Sequence, residues 1–177
     1  APSLLYRNNR DGTFRETGVP AGCAFDENGV ALSGMGVAVG DYDGDGRLDI
    51  VRTNFSEQVT TLYRNYGDGA FADSSLRAGL GINRKYLGFG AVFFDFDNDG
   101  WKDLFLANGH VYSQIADRKL HIAYKEPRIL YRNLGNGRFQ DVTDSLGVGS
   151  TRWTLAAASA DFNDDGWPDL YLANDYG

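Results

Sequence analysis

Asp41-Tyr42-Asp43-Gly44-Asp45-Gly46-Arg47-Leu48-Asp49 is the stretch on which the fold turns. It recurs as Asp95-Phe96-Asp97-Asn98-Asp99-Gly100-Trp101-Lys102-Asp103 and as Asp161-Phe162-Asn163-Asp164-Asp165-Gly166-Trp167-Pro168-Asp169. Positions 1, 3, 5 and 9 carry a side-chain oxygen in every copy: Asp41, Asp43, Asp45 and Asp49; Asp95, Asp97, Asp99 and Asp103; Asp161, Asn163, Asp165 and Asp169. Oxygens at alternate positions followed by a glycine are how a short peptide wraps a hard cation such as Ca²⁺. Glycine at position 6 (Gly46, Gly100, Gly166) allows the positive φ that folds the loop back, so the carbonyl of Arg47, Trp101 or Trp167 at position 7 can add a ligand. The match to an EF-hand stops there, because position 12 holds Arg52, Leu106 and Leu172 in place of a bidentate glutamate. The residues after position 9, such as Leu104-Phe105-Leu106 behind Asp103, read as a short buried strand and not as a helix. Each loop is therefore expected to be a turn between strands.

A solvated Asp/Gly turn is the simpler reading of one such loop, but three copies in the same register argue for three Ca²⁺ sites. The loops place 11 of the 24 acidic residues at ligand positions, where unscreened repulsion would oppose folding. Three calcium ions would add six positive charges against a formal net charge of −7. An acidic chain of this kind is not expected to bind nucleic acid.

The loops belong to a longer repeat. Ahead of them run the small or apolar segments Gly34–Gly40, Leu87–Phe94 and Trp153–Ala160, and thirteen residues past each first aspartate stands Asn54, Asn108 or Asn174. A third marker, Leu-Tyr-Arg-Asn, begins at Leu5, Leu62 and Leu130; each copy is followed by Asp-Gly or Asn-Gly and then Phe14, Phe71 or Phe139. Such a dipeptide between β-prone runs signals a hairpin. The recurrence of Tyr-Arg-Asn at one position argues for structure, with Tyr packed between repeats and Arg and Asn satisfying backbone or carboxylates. Four antiparallel strands per unit make the expected fold all-β, a β-propeller of three blade equivalents.

The phase splits one blade: 1–18 reads as the second half of a blade, 34–80 as a complete one with loop 41–49, 87–148 as another with loop 95–103, and 153–177 as a first half with loop 161–169. Tyr63 follows Asp41 by 22 positions, and Tyr6 would follow Asp161 by the same 22 if the end were joined to the beginning. The expectation is a segment completed by other blades of a parent chain, with completion by another subunit as the second possibility and a closed three-bladed monomer as the third.

The middle blade carries an insert, 109–127, that holds both histidines and is basic in an acidic chain. His110, Tyr112, Arg118, Lys119, His121, Tyr124 and Lys125 are its candidate partner-binding residues, for a protein or a glycan. Asp117 and Glu126 also fall there, with nothing in the spacing to pair them. At 177 residues and 42% hydrophobic, the chain can bury a core, and no apolar run is long enough to span a bilayer. The single Cys23 excludes an intrachain disulfide. Asn54-Phe55-Ser56 fits a glycosylation acceptor, a pattern that chance supplies often.

The Gly-Phe-Gly-Ala-Val run at 88–92, the aspartate loops and the Tyr-Arg-Asn hairpins resemble FG-GAP/VCBS repeats, the blades of integrin-α-like propellers. More narrowly, Ala107–Tyr112 and Trp167–Asp175 resemble the bacterial relatives of cartilage acidic protein, an ASPIC/UnbV-associated family. No ASPIC/UnbV segment is present, and Asn163 departs from the aspartate pattern. The resemblance implies calcium-rigidified blades in an extracellular or periplasmic module for adhesion, assembly or ligand binding. No Ser/His/Asp set and no nucleotide-binding glycine motif is visible, so a noncatalytic role is expected. The alternative is a carbohydrate-binding or carbohydrate-active propeller using the 109–127 insert.

Overall fold

The computed structural model describes residues 1–81, 84–109 and 126–174. Strands β3 (Gly34–Gly40), β4 (Asp49–Asn54), β5 (Thr61–Gly67) and β6 (Ala70–Asp73) form one antiparallel sheet in chain order. Strands β7 (Gly88–Phe94), β8 (Asp103–Asn108), β9 (Ile129–Asn133) and β10 (Phe139–Asp141) form a second. Each is a propeller blade, joined strand to strand by hairpins and loops. The hairpin between β5 and β6 turns through Asp68 and Gly69 at φ 54° and 79°, the two positive values that a tight turn matching strand twist requires. At either end stands half a blade: β1 (Tyr6–Asn8) with β2 (Phe14–Glu16), and β11 (Thr154–Ala160) with β12 (Asp169–Asn174). Among the described residues β12 and β1 lie in separate sheets, so the halves do not meet within the chain.

Both faces of the inner strands are apolar because each complete blade has a neighbour on either side. Successive first strands stack face to face, β3 on β7 and β7 on β11. The backbone comes close enough at Gly36 that a Cβ would lie 2.0 Å from the Phe89 carbonyl oxygen, which explains the small residues that open each blade. Alternation then assigns the faces: Ala38 and Val51 look forward to the next blade, while Ala91, Leu104 and Leu106 look back and meet them. The next seam repeats this, with Phe94, Phe105 and Leu130 facing Ala157, Leu170 and Leu172. The first seam packs Tyr63, Ile50 and Phe71 on Leu5, Ala21 and Cys23. Cys23 is a buried free thiol of this seam.

Two features escaped the sequence reading. A single helical turn follows the last strand of two units, α1 (Gly18–Ala21) and α2 (Ser75–Ala78), each closed by a left-handed glycine, Gly22 and Gly79. Four residues are too few to show a helical period. Asn54 is buried, and its amide donates to the Val59 carbonyl at 2.6 Å and to Thr61 at 2.9 Å. The glycosylation match is thus a strand-end clamp, as are Asn108 on the Pro127 carbonyl and Asn174 on Thr154.

Candidate metal centres

The first aspartate of each loop folds the loop around itself. Asp41 accepts backbone N–H bonds from Gly44, Asp45 and Gly46 at 2.8, 3.1 and 2.8 Å. Asp95 does so from Asp99 and Gly100, and Asp161 from Asp165 and Gly166. Position 5 accepts the N–H of position 7, in Asp45–Arg47, Asp99–Trp101 and Asp165–Trp167. The glycines at position 6 take the required positive φ: 82° at Gly46, 91° at Gly100 and 86° at Gly166.

Position 9 ties the loop to the blade. Asp49 is fully buried and accepts the N–H groups of Tyr42 at 3.1 Å and Asn65 at 2.7 Å. Asp103, equally buried, accepts those of Phe96 at 2.9 Å and Asn133 at 2.8 Å. Burial pushes both carboxyls up to about 6, with the backbone bonds pulling the other way. The asparagine of the Tyr-Arg-Asn strand completes the clamp, since Asn65 also donates to the Leu48 carbonyl and Asn133 to those of Tyr42 and Lys102.

What remains at the centre of the first two loops is a carboxylate cluster. The oxygens of Asp41, Asp43 and Asp49 lie within 4.8 Å of one another, and those of Asp95, Asp97 and Asp99 do likewise. Asp43 Oδ1 and Asp97 Oδ1 are buried without any hydrogen-bond partner. A buried carboxylate oxygen with no donor is costly, and a cation among these oxygens removes the cost. The donor set is oxygen alone, which suits a hard divalent cation and not a transition metal.

The remaining carboxylate oxygens are met by the arginine of the same blade's third strand. Arg64 Nε sits 2.6 Å from Asp43 Oδ2, and Arg64 Nη2 sits 3.3 Å from Asp45 Oδ2. Arg132 Nη2 repeats this at 2.7 Å from Asp97 and 3.3 Å from Asp99. Arg47 reaches Asp45 as well and donates Nε–H to the Asn65 carbonyl at 3.0 Å. These guanidiniums offset the repulsion of the cluster while crowding any incoming cation. Arg64→Met is therefore expected to weaken the cation-free fold by about 1 kcal/mol and to tighten cation binding at loop 41–49 up to about tenfold. Thermal unfolding without cation and a cation titration read the two effects separately.

The third loop lacks this surround. Residues 161–167 are all exposed, and no gathered trio of carboxylates forms there among the described residues. Asn163 instead bonds with Asp165, donating Nδ2–H at 3.0 Å and accepting the backbone N–H at 3.1 Å. Asp169 takes the Phe162 N–H at 3.0 Å, and among the described residues no Tyr-Arg-Asn strand pairs with β12.

Neighbouring loops touch. The Trp101 ring lies against Gly44, where an added Cβ would come within 2.9 Å, and against Gly135, within 2.8 Å. Asn98 donates to the Gly166 carbonyl at 3.1 Å. Trp167 is half exposed. His110, Tyr112, Arg118, Lys119, His121, Tyr124 and Lys125 lie outside the described residues. Glu126, at the end of that insert, is fully buried; its Oε2 accepts the Leu87 N–H at 2.7 Å, and burial pushes the carboxyl up to about 7. It clamps the start of β7, a role that its place beside basic residues in the sequence concealed.

Residues 2–52, 41–106 and 120–172 each match the FG-GAP-like repeat. Among curated proteins, the chain is 27% identical to cartilage acidic protein 1 of Homo sapiens over 98% of its length, and 28% identical to that of Mus musculus over 98%. Against the Xenopus tropicalis protein the identity is 28% over 82%. The chain spans about a quarter of these relatives, 24%, 25% and 22% respectively.

Proposed function

The chain belongs to the FG-GAP-like repeat family, and on that premise we propose that it is a calcium-stabilised, noncatalytic extracellular propeller module for adhesion, assembly or ligand binding. The observation that carries the metal part is the pair of buried, partnerless oxygens, Asp43 Oδ1 and Asp97 Oδ1, each inside a carboxylate cluster. Calcium fits because it accepts irregular sets of six to eight oxygens, whereas magnesium demands a near-ideal octahedron. Sites without a bidentate closing glutamate suit the weak range of roughly 10⁻⁴ to 10⁻³ M, which extracellular calcium fills. Loops 41–49 and 95–103 bind first, and loop 161–169 binds more weakly, with Asn163 at position 3. The ion acts on structure, joining the turn between the first two strands to the clamp that Asp49 or Asp103 makes with the third.

The way the loop carboxylates are used supports a role outside catalysis. In the two complete blades every loop aspartate is committed to backbone N–H groups, arginines or the cation cluster. The acidic relatives whose name refers to cartilage favour an extracellular placement, and no helix among the described residues is long and apolar enough to cross a membrane. A protein or glycan partner is the expected ligand of the module as a whole.

Direct calcium titration tests the reading. Two equivalents are expected to bind ahead of a weaker third, and Asp43→Asn and Asp97→Asn each remove one of the two. Unchanged stoichiometry in both variants would end the proposal. A pH series gives a second check. In chelator, Asp49 and Asp103, each at about 6, and Glu126, at about 7, hold protons in the folded state more tightly than the unfolded chain does. Stability without calcium is thus expected to rise as pH falls from 7 to 5, on the order of 1 kcal/mol per carboxyl. The increment that calcium adds is expected to shrink over the same window, because protons compete for its ligands.

A further inference from the structure

The two complete blades do not hold their acidic loops separately. Tyr42, at position 2 of loop 41–49, is planted in the next blade: it is buried, and its ring stacks on Phe139 of β10 with centroids 5.8 Å apart. Both of its peptide groups are used. The Tyr42 N–H donates to Asp49 Oδ2 at 3.1 Å, and the Tyr42 carbonyl accepts from Asn133 Nδ2 at 2.7 Å. Asp49 is also one of the three carboxylates gathered in that loop. Asn133 belongs to the clamp of loop 95–103, donating its backbone N–H to Asp103 Oδ1 at 2.8 Å and the same Nδ2 to the Lys102 carbonyl at 2.9 Å. Three hydrogen bonds thus join the position 9 carboxylate of one loop to that of the next. Tyr42, Asn133, Asp49 and Asp103 are all at most 3% exposed, so water does not compete for these bonds.

A second contact runs beside the first. Trp101 stands at position 7 of loop 95–103, where its carbonyl is the expected ligand, and its ring touches Gly44 at position 4 of the preceding loop. The ring also touches Gly135, whose N–H donates to Asn133 Oδ1 at 3.0 Å. Both routes therefore converge on Asn133. The next seam repeats the link, with Asn98 at position 4 of loop 95–103 donating to the Gly166 carbonyl at position 6 of loop 161–169.

Resting on the calcium reading above, we propose that loops 41–49 and 95–103 bind their cations as a coupled pair, with Asn133 and Trp101 as the positioning residues that carry the coupling. When loop 95–103 is loaded, Asp103 and the Trp101 carbonyl are fixed, and Asn133 and the Trp101 ring hold the backbone at Tyr42 and Gly44 with them. That ordering is already in place when loop 41–49 fills, so the second site binds more tightly than it would alone. Linkage makes the effect reciprocal: whichever loop loads first favours the other by the same factor. Repulsion between the two cations opposes it. Salt screens that repulsion over about 8 Å at physiological ionic strength, whereas buried hydrogen bonds are not screened.

Calcium titration at physiological ionic strength, followed by NMR at the Gly46 and Gly100 amides as one reporter in each loop, tests the coupling. A joint two-site fit is expected to return a coupling factor of at least about five. Asp97→Asn is expected to make the Gly46 curve single-site and move it to higher calcium, and Asp43→Asn to do the same to the Gly100 curve. Trp101→Ala, which keeps the position 7 carbonyl, and Asn133→Ala are each expected to bring the coupling factor toward unity. Hydrogen exchange reads the route directly. In Asp43→Asn, where only loop 95–103 of the pair can load, calcium is expected to slow exchange at Gly44 and Gly46, whose N–H groups bond to Asp41. Shifts at both glycines that fit two independent sites, or full coupling in a folded Trp101→Ala, overturn this proposal and leave the calcium reading standing. No calcium-dependent shift at either glycine overturns the calcium reading and the coupling together.

Discussion

Removing calcium is expected to lower the midpoint of thermal unfolding by about 10–20 °C. A ligand that binds only the folded state at about a hundred times its dissociation constant stabilises by about 2.7 kcal/mol, and two such sites give about 5 kcal/mol. For a chain of this size each kcal/mol moves the midpoint by about 2–4 °C. The effect is expected to be specific: magnesium at the same concentration recovers little of it, because the loops offer a crowded, irregular oxygen set. Differential scanning calorimetry in calcium, magnesium and chelator measures it, and a midpoint indifferent to chelator would remove the reason for eleven acidic residues at ligand positions.

The second large effect separates the clamp from the cation. Asp103→Ala is expected to cost about 3–4 kcal/mol with or without calcium, because it strands the N–H groups of Phe96 and Asn133 in a buried site. Asp97→Asn is its counterpart. It keeps the shape of the side chain, so the metal-free fold is expected to change by less than about 1 kcal/mol while the calcium-dependent increment at that loop disappears. Denaturant unfolding of both variants, each in calcium and in chelator, distinguishes the roles. Equal losses in the two variants under both conditions would mean that positions 3 and 9 do the same work.

The fold was legible because each of its signals is local and is repeated. Short continuous apolar runs after Asp49, Asp103 and Asp169, the Asp-Gly hairpin at 68–69 and the small residues of β3, β7 and β11 lead directly to four-stranded blades. The loops were legible for the same reason, since position 6 shows its need for glycine in all three copies. What the sequence hid depends on contacts between distant segments. The Tyr-Arg-Asn repeat already pointed its arginine at carboxylates, but which ones it meets is set by the blade, since Arg64 and Asp43 are 21 positions apart. Nothing local marks Gly44 as the surface against which Trp101 of the next blade packs. Asn163 already sets the third loop apart in the sequence, and among the described residues β11 pairs with β12 alone, as the half-blade reading of 153–177 expected. Tyr6, Tyr63 and Tyr131 make the same point. They are one residue type at one position of the repeat, and their burial is decided by whether the first two strands of the blade are beside them.

The most direct test of calcium-stabilised blades is a crystal structure from calcium-containing solution with anomalous differences collected. Calcium peaks are expected in loops 41–49 and 95–103, within about 2.3–2.6 Å of Asp43 Oδ1 and Asp97 Oδ1. Well-ordered loops with no peak, and those two oxygens touched only by protein or water, would contradict it.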